Sequence, residues 1–197
     1  MSGGGFEDAP RLAPVSRAEW RAWLGEHHGS SRGIWLVLSK KGSGLAGPSY
    51  DDALEEALCF GWIDSRGRRL DERRYQLWFC PRRPGSVWSQ PNKARVARLR
   101  EAGLMAPAGL ARIEAAVADG SWAILDQVDS LVVPDDLAAG LAAVPGAKQA
   151  FAGMAASVRK PILYWVMSAK RPQTRADRIA AVAAAAAEGR SPLGAAG

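Results

Sequence analysis

Near the start of the chain Trp20, Trp23, Leu24 and His27 recur at the spacing of one helix face. Ser16 and Glu19 stand just before them as a capping box, in which each side chain reaches the other's backbone amide. A first amphipathic helix is therefore expected. Ile34–Leu38 is a continuous run of β-formers and reads as a strand buried on both faces. The turn-rich Lys40–Pro48 separates it from a second helix, capped by Ser49, with Asp51, Asp52, Glu55 and Glu56 toward its positive end and Leu54, Ala57 and Leu58 inward. Gly61 stops that helix, and Trp62–Asp64 reads as a short strand. Tyr75, Leu77 and Phe79 then alternate with Gln76 and Trp78, the period of another strand over Arg74–Cys80. The basic segment between the two closes a hairpin.

Beyond the turn-prone Pro81–Gly85 the pattern is helical to the end. Ser89 and Pro91 open one helix, with Val96 and Leu99 inward. Pro107 opens the next, with Leu110, Ile113, Ala116 and Val117 inward and Gly120 as its stop. Pro134 precedes a third, a short piece covers Ala147–Met154, and Ser157 caps a helix carrying Ile162, Leu163, Trp165, Val166 and Ala169. Pro172 and Thr174 begin the last, alanine-rich one, which runs to Gly189. The expected fold class is α+β: a small antiparallel or mixed sheet with N-terminal helices, then a helical C-terminal half. Residues 12–190 are expected as one domain, with a sheet-containing half over 12–100 and a helical half over 101–190. Residues 1–11 and 191–197 are expected as flexible ends.

Composition sharpens this picture in two places. The two cysteines, Cys59 and Cys80, sit inside apolar runs and read as reduced core residues; with no leader or long apolar span visible, a cytoplasmic protein without a membrane partner is expected. Charge is unevenly spread. Of a net +6, the window from Arg66 to Arg100 carries +9, from eleven basic residues against Asp71 and Glu72.

That window also holds the candidate chemistry. Trp62, Trp78 and Trp88 accompany Arg66, Arg73, Arg82 and Arg83, with Asp64 at the end of its short strand and Ser86 and Asn92 near a helix start. Indole faces stack on planar groups, arginine forks take carboxylate or phosphate, and free helix-start amides favour an anion. These ten residues could line a cleft for a planar or anionic small molecule. The plainer reading of the same residues is a tryptophan core, a solvated basic hairpin, and an internal ion pair between Asp64 and Arg82 or Arg83. The adjacent His27 and His28 lack further ligands at metal spacing, and no cofactor fingerprint or catalytic motif is present, so neither a metal nor a cofactor is expected and no reaction is named.

Ala57–Ser65, Pro81-Arg82-Arg83, Ser86–Ser89 with Asn92, Trp20–Leu24, Gly33–Leu36 and Ala169–Arg175 with Arg178-Ile179 together resemble the YdeI/OmpD-associated, or bacteriocin-protection, family. The resemblance spans roughly residues 12–190. It implies a role in tolerance to antimicrobial peptides, antibiotics or other stress, and it carries no agreed catalytic residues. The expected function is then a non-catalytic small-molecule binder in such tolerance. A nucleic-acid binder using residues 66–100 is one alternative, and an enzyme on a phosphorylated or carboxylated substrate is another. Oligomeric state is not legible.

Overall fold

The structure is a computed structural model and describes residues 9–194. It is α+β, with one four-stranded mixed sheet and, among the described residues, nine helices. Two compact units divide the chain. The first holds the described residues through Ser86 together with Gln90–Ser121; the second holds Val87–Ser89 and the described residues from Trp122 on.

The sheet lies in the first unit, in the order β1 (Arg11–Leu12), β2 (Ile34–Ser39), β4 (Arg74–Pro81), β3 (Trp62–Arg69). The short β1, which sequence pattern did not indicate, runs parallel to β2; the other pairings are antiparallel. Trp35 stands opposite Trp78, and Asp64 opposite Phe79. β3 runs five residues further than the expected Trp62–Asp64, because a bulge between Asp64 and Gly67 absorbs the break in alternation and pairing resumes to Arg69. The basic loop is thereby reduced to a turn.

One face of the sheet packs against α1 (Arg17–His27) and α2 (Tyr50–Cys59), burying Trp20, Leu24, Ile34, Leu36, Leu38, Ala53, Ala57, Trp62 and Phe79. Ser16 caps α1 by accepting from the Glu19 amide, but the Glu19 carboxylate takes the Val15 amide at 2.7 Å in place of the expected Ser16 amide, whereas Ser49 and Asp52 form a complete capping box on α2. His27 stacks on Trp23 with centroids 4.7 Å apart. Helices α3 (Gln90–Glu101) and α4 (Pro107–Ala118) complete the unit. Val117, expected inward, is exposed on α4, since Ala116 takes the inner position.

In the second unit α5 (Ile124–Asp129), α6 (Asp135–Ala142), α7 (Ala147–Gly153), α8 (Ala156–Met167) and α9 (Pro172–Ala187) enclose a core of Leu137, Leu141, Phe151, Ile162, Leu163, Val166 and Val182. Here α5 was not foreseen. Ser157, expected as the cap of α8, lies inside the helix, whose N-cap Ala155 makes no side-chain bond. Arg175 of α9 pairs with Asp136 and donates to the Val166 carbonyl, while Arg178 lies over the Trp165 ring at 5.1 Å and donates to its carbonyl. These two arginines donate to carbonyls at the C-terminal end of α8, where the Val166 carbonyl also accepts from the Ala169 amide at 3.2 Å.

Candidate functional site

Because Ser49 ends the loop as an N-cap, Tyr50 is the first residue of α2, and its phenol reaches across to donate to Asp64 Oδ2 at 3.2 Å. Asp64 is the last β3 residue in register before the bulge. Partial burial, then the neighbouring Asp64 carboxylate, push the Tyr50 phenol up to about 12. The phenol therefore remains a proton donor throughout the neutral range, and Asp64 its acceptor. Arg82 follows β4, its amide bonded to the Gly61 carbonyl at 2.9 Å and its side chain buried at 5% exposure. Burial pulls its guanidinium down to about 10, opposed by the charge of Asp64, so it is still a cation at pH 7. On α3, Arg95 pairs with Asp51 at 2.6 Å and its charge also acts on the Tyr50 phenol. The charges of the exposed Arg83, of Asp64 and of Arg82 all act on the half-buried Cys80 thiol. A carboxylate with one phenol donor, beside several guanidinium groups, can receive a molecule carrying both an anion and a hydrogen-bond donor.

The other expected site residues are dispersed. Trp62 is in the core at 1% exposure, donating to the His28 carbonyl at 3.2 Å and meeting Trp23 edge-on. Trp78 lies edge-on to the buried Trp35, 5.5 Å away, and Arg68 covers Trp35 at 4.6 Å. Trp88 belongs to the second unit, where it is buried and packs against Trp122 at 5.0 Å. Arg66 is exposed on the edge strand β3. Arg73 is at the hairpin turn, bonded to the Ser43 carbonyl at 3.1 Å. Ser86 is half-buried in a turn, its amide bonded to the Arg83 carbonyl, and Asn92 is half-buried in the first turn of α3. The structure thus brings Asp64, Arg82 and Arg83 together and takes Trp62 and Trp88 into packed interiors, because their rings are the largest apolar bodies available to each core.

Tyr50 and Arg95 complete the group, and the sequence reading passed over both. A tyrosine immediately after a helix cap, one short strand away from an acid, was the available signal. A second cluster was also missed. Glu56, 2% exposed, receives Arg17 at 2.5 Å and Arg21 at 2.6 Å, while Arg17 also reaches Asp52 at 2.8 Å. An acid at the spacing of Ala53 and Ala57, and arginines four apart on α1, mark a charged seam between the helices. Cys59 and Cys80 are free thiols, both pushed up by burial.

Residues 12–112 match the family described as Domain of unknown function (DUF8412), which covers just over half of the chain, and the chain belongs to that family. Residues 130–189 match the family described as Bacteriocin-protection, YdeI or OmpD-Associated. The resemblance drawn from the sequence is supported on this C-terminal segment, which contains Ala169–Arg175 and Arg178; the blocks quoted from Trp20 to Asn92 lie within the first match. No curated protein and no solved structure matches the chain.

Proposed function

We propose that the protein serves in bacteriocin or stress protection by binding, without catalysis, a small molecule of mixed or negative charge at Tyr50, Asp64, Arg82 and Arg95. The role in protection follows the description of the family matched by residues 130–189. The observation that carries the binding reading is the Tyr50–Asp64 hydrogen bond held beside guanidinium groups at a partly exposed position. An anionic group of the ligand pairs with arginine, and a donor group occupies the remaining lone pairs of Asp64. With Trp62 and Trp88 buried, charge and hydrogen bonding supply the recognition in place of stacking.

Titration calorimetry with zwitterionic and anionic small molecules tests this directly. Binding by the wild type that falls at least tenfold in Asp64→Asn, with the fold intact, supports the reading. Uptake of no compound, or equal uptake by Asp64→Asn, overturns it. Turnover of a bound compound would replace the binder with an enzyme.

A further inference from the structure

The turn-rich segment after β2 and the β3–β4 turn meet at one end of the sheet, where Ser39 and Arg74 stand in register. They are tied together by the Lys40 amide to the Arg73 carbonyl at 2.8 Å, Lys40 Nζ to the Asp71 carbonyl at 3.1 Å, and Arg73 to the Ser43 carbonyl. This end presents Lys40, Lys41, Arg69, Arg73 and Arg74. Its two acids are already engaged, Asp71 by Arg74 and Glu72 by Arg69, leaving a net positive tip. Arg73 binds a neutral carbonyl and keeps its full charge. Between these cations Leu45 is 40% exposed and Leu70 37% exposed, one on each segment.

Aliphatic side chains framed by lysine and arginine at two hydrogen-bonded loops match an interface of anionic headgroups over hydrocarbon. A single-stranded nucleic acid would call for aromatic platforms, and residues 40–47 and 69–74 contain no aromatic ring; a duplex would engage the cations through its phosphates but give the exposed leucines no hydrocarbon to enter. We propose that this end of the sheet docks peripherally on an anionic bilayer surface, with Leu45 and Leu70 entering the interface and the net positive charge of the tip, Lys41 foremost, facing headgroups. The surface is separate from the Tyr50–Asp64 site and does not depend on it. Nor does it require a spanning segment: among the described residues no helix is long and apolar enough to cross a membrane.

Co-sedimentation of the full chain with phosphatidylcholine vesicles, with and without phosphatidylglycerol, tests the proposal. Binding is expected with phosphatidylglycerol and to weaken with salt. Lys41→Ala should lower partitioning about fivefold, the worth of one cation near an anionic surface. The double variant Leu45→Ser, Leu70→Ser should lower it roughly tenfold with an unchanged circular dichroism spectrum. Should the double variant fold poorly, Lys41→Ala carries the test. Equal sedimentation with pure phosphatidylcholine overturns the proposal. So does binding indifferent to these substitutions, or capture of a duplex oligonucleotide by a protein that ignores the vesicles.

Discussion

Tyr50 at the start of α2 and Asp64 at the bulge of β3 are joined by a single hydrogen bond of 3.2 Å, which holds a carboxylate on the edge strand within electrostatic reach of Arg82, while the charge of Arg95 acts on the phenol. The phenol's raised pKa makes that bond sensitive to alkali. A group that titrates later when folded contributes stability below its unfolded value near 10, and that contribution is lost as pH rises toward about 12. In an absorbance titration, Asp64→Asn should move one tyrosine transition down toward 10. An unchanged tyrosine profile would contradict the coupling.

Glu56 is buried between two arginines whose side chains are 36% exposed. Glu56→Ala leaves both without their shared acceptor and should destabilise by about 2 kcal/mol, a buried-pair loss discounted for the arginines' access to water. The exposed Lys160–Asp129 pair offers a contrast, since Asp129→Ala should change stability by less than about 0.5 kcal/mol. Urea denaturation of the two variants compares them.

Two helical glycines should respond oppositely to alanine. Nothing lies within 4 Å of a Cβ added at Gly25 of α1, so Gly25→Ala should stabilise by about 0.5–1 kcal/mol through helix propensity. A Cβ at Gly109 would overlap the Cys59 carbonyl, where α4 crosses the end of α2. There the clash outweighs propensity, and Gly109→Ala should destabilise by about 1–3 kcal/mol. Thermal melts that move in the same direction would contradict this packing.

In the second unit the hydrogen bond from Arg175 holds Asp136 below the usual carboxylate range. Its contribution is present above the ordinary carboxylate pKa and is lost as pH falls through the lowered one. Acid unfolding followed by circular dichroism should therefore show less pH dependence in Asp136→Asn than in the wild type. Identical acid limbs would show that the pair is uncoupled from folding.

Local signals were legible where backbone rules act alone. Ser16 and Ser49 cap as their neighbours required, and Tyr75, Leu77 and Phe79 alternate into the core. The length of β3 was hidden because a bulge breaks the period of two, and β1 because two residues carry no period at all. Within the candidate site Asp64, Arg82 and Arg83 were named from chemistry, but Tyr50 was not, since its partner is fixed by the crossing of α2 over β3. Trp62 and Trp88 illustrate the same limit. A tryptophan beside arginines reads alike whether its ring faces a ligand or a core, and packing decides between them.

Thermal unfolding of the wild type and Asp64→Asn, with amino acids, sugar phosphates and nucleotides, tests the binding claim most directly. A compound at a hundred times its dissociation constant should stabilise the wild type by about 2.7 kcal/mol, a shift of several degrees. At least one zwitterionic or anionic compound is predicted to produce that shift in the wild type and little in Asp64→Asn. A panel without effect, or a shift preserved in Asp64→Asn, would contradict the assignment of this group as the binding site.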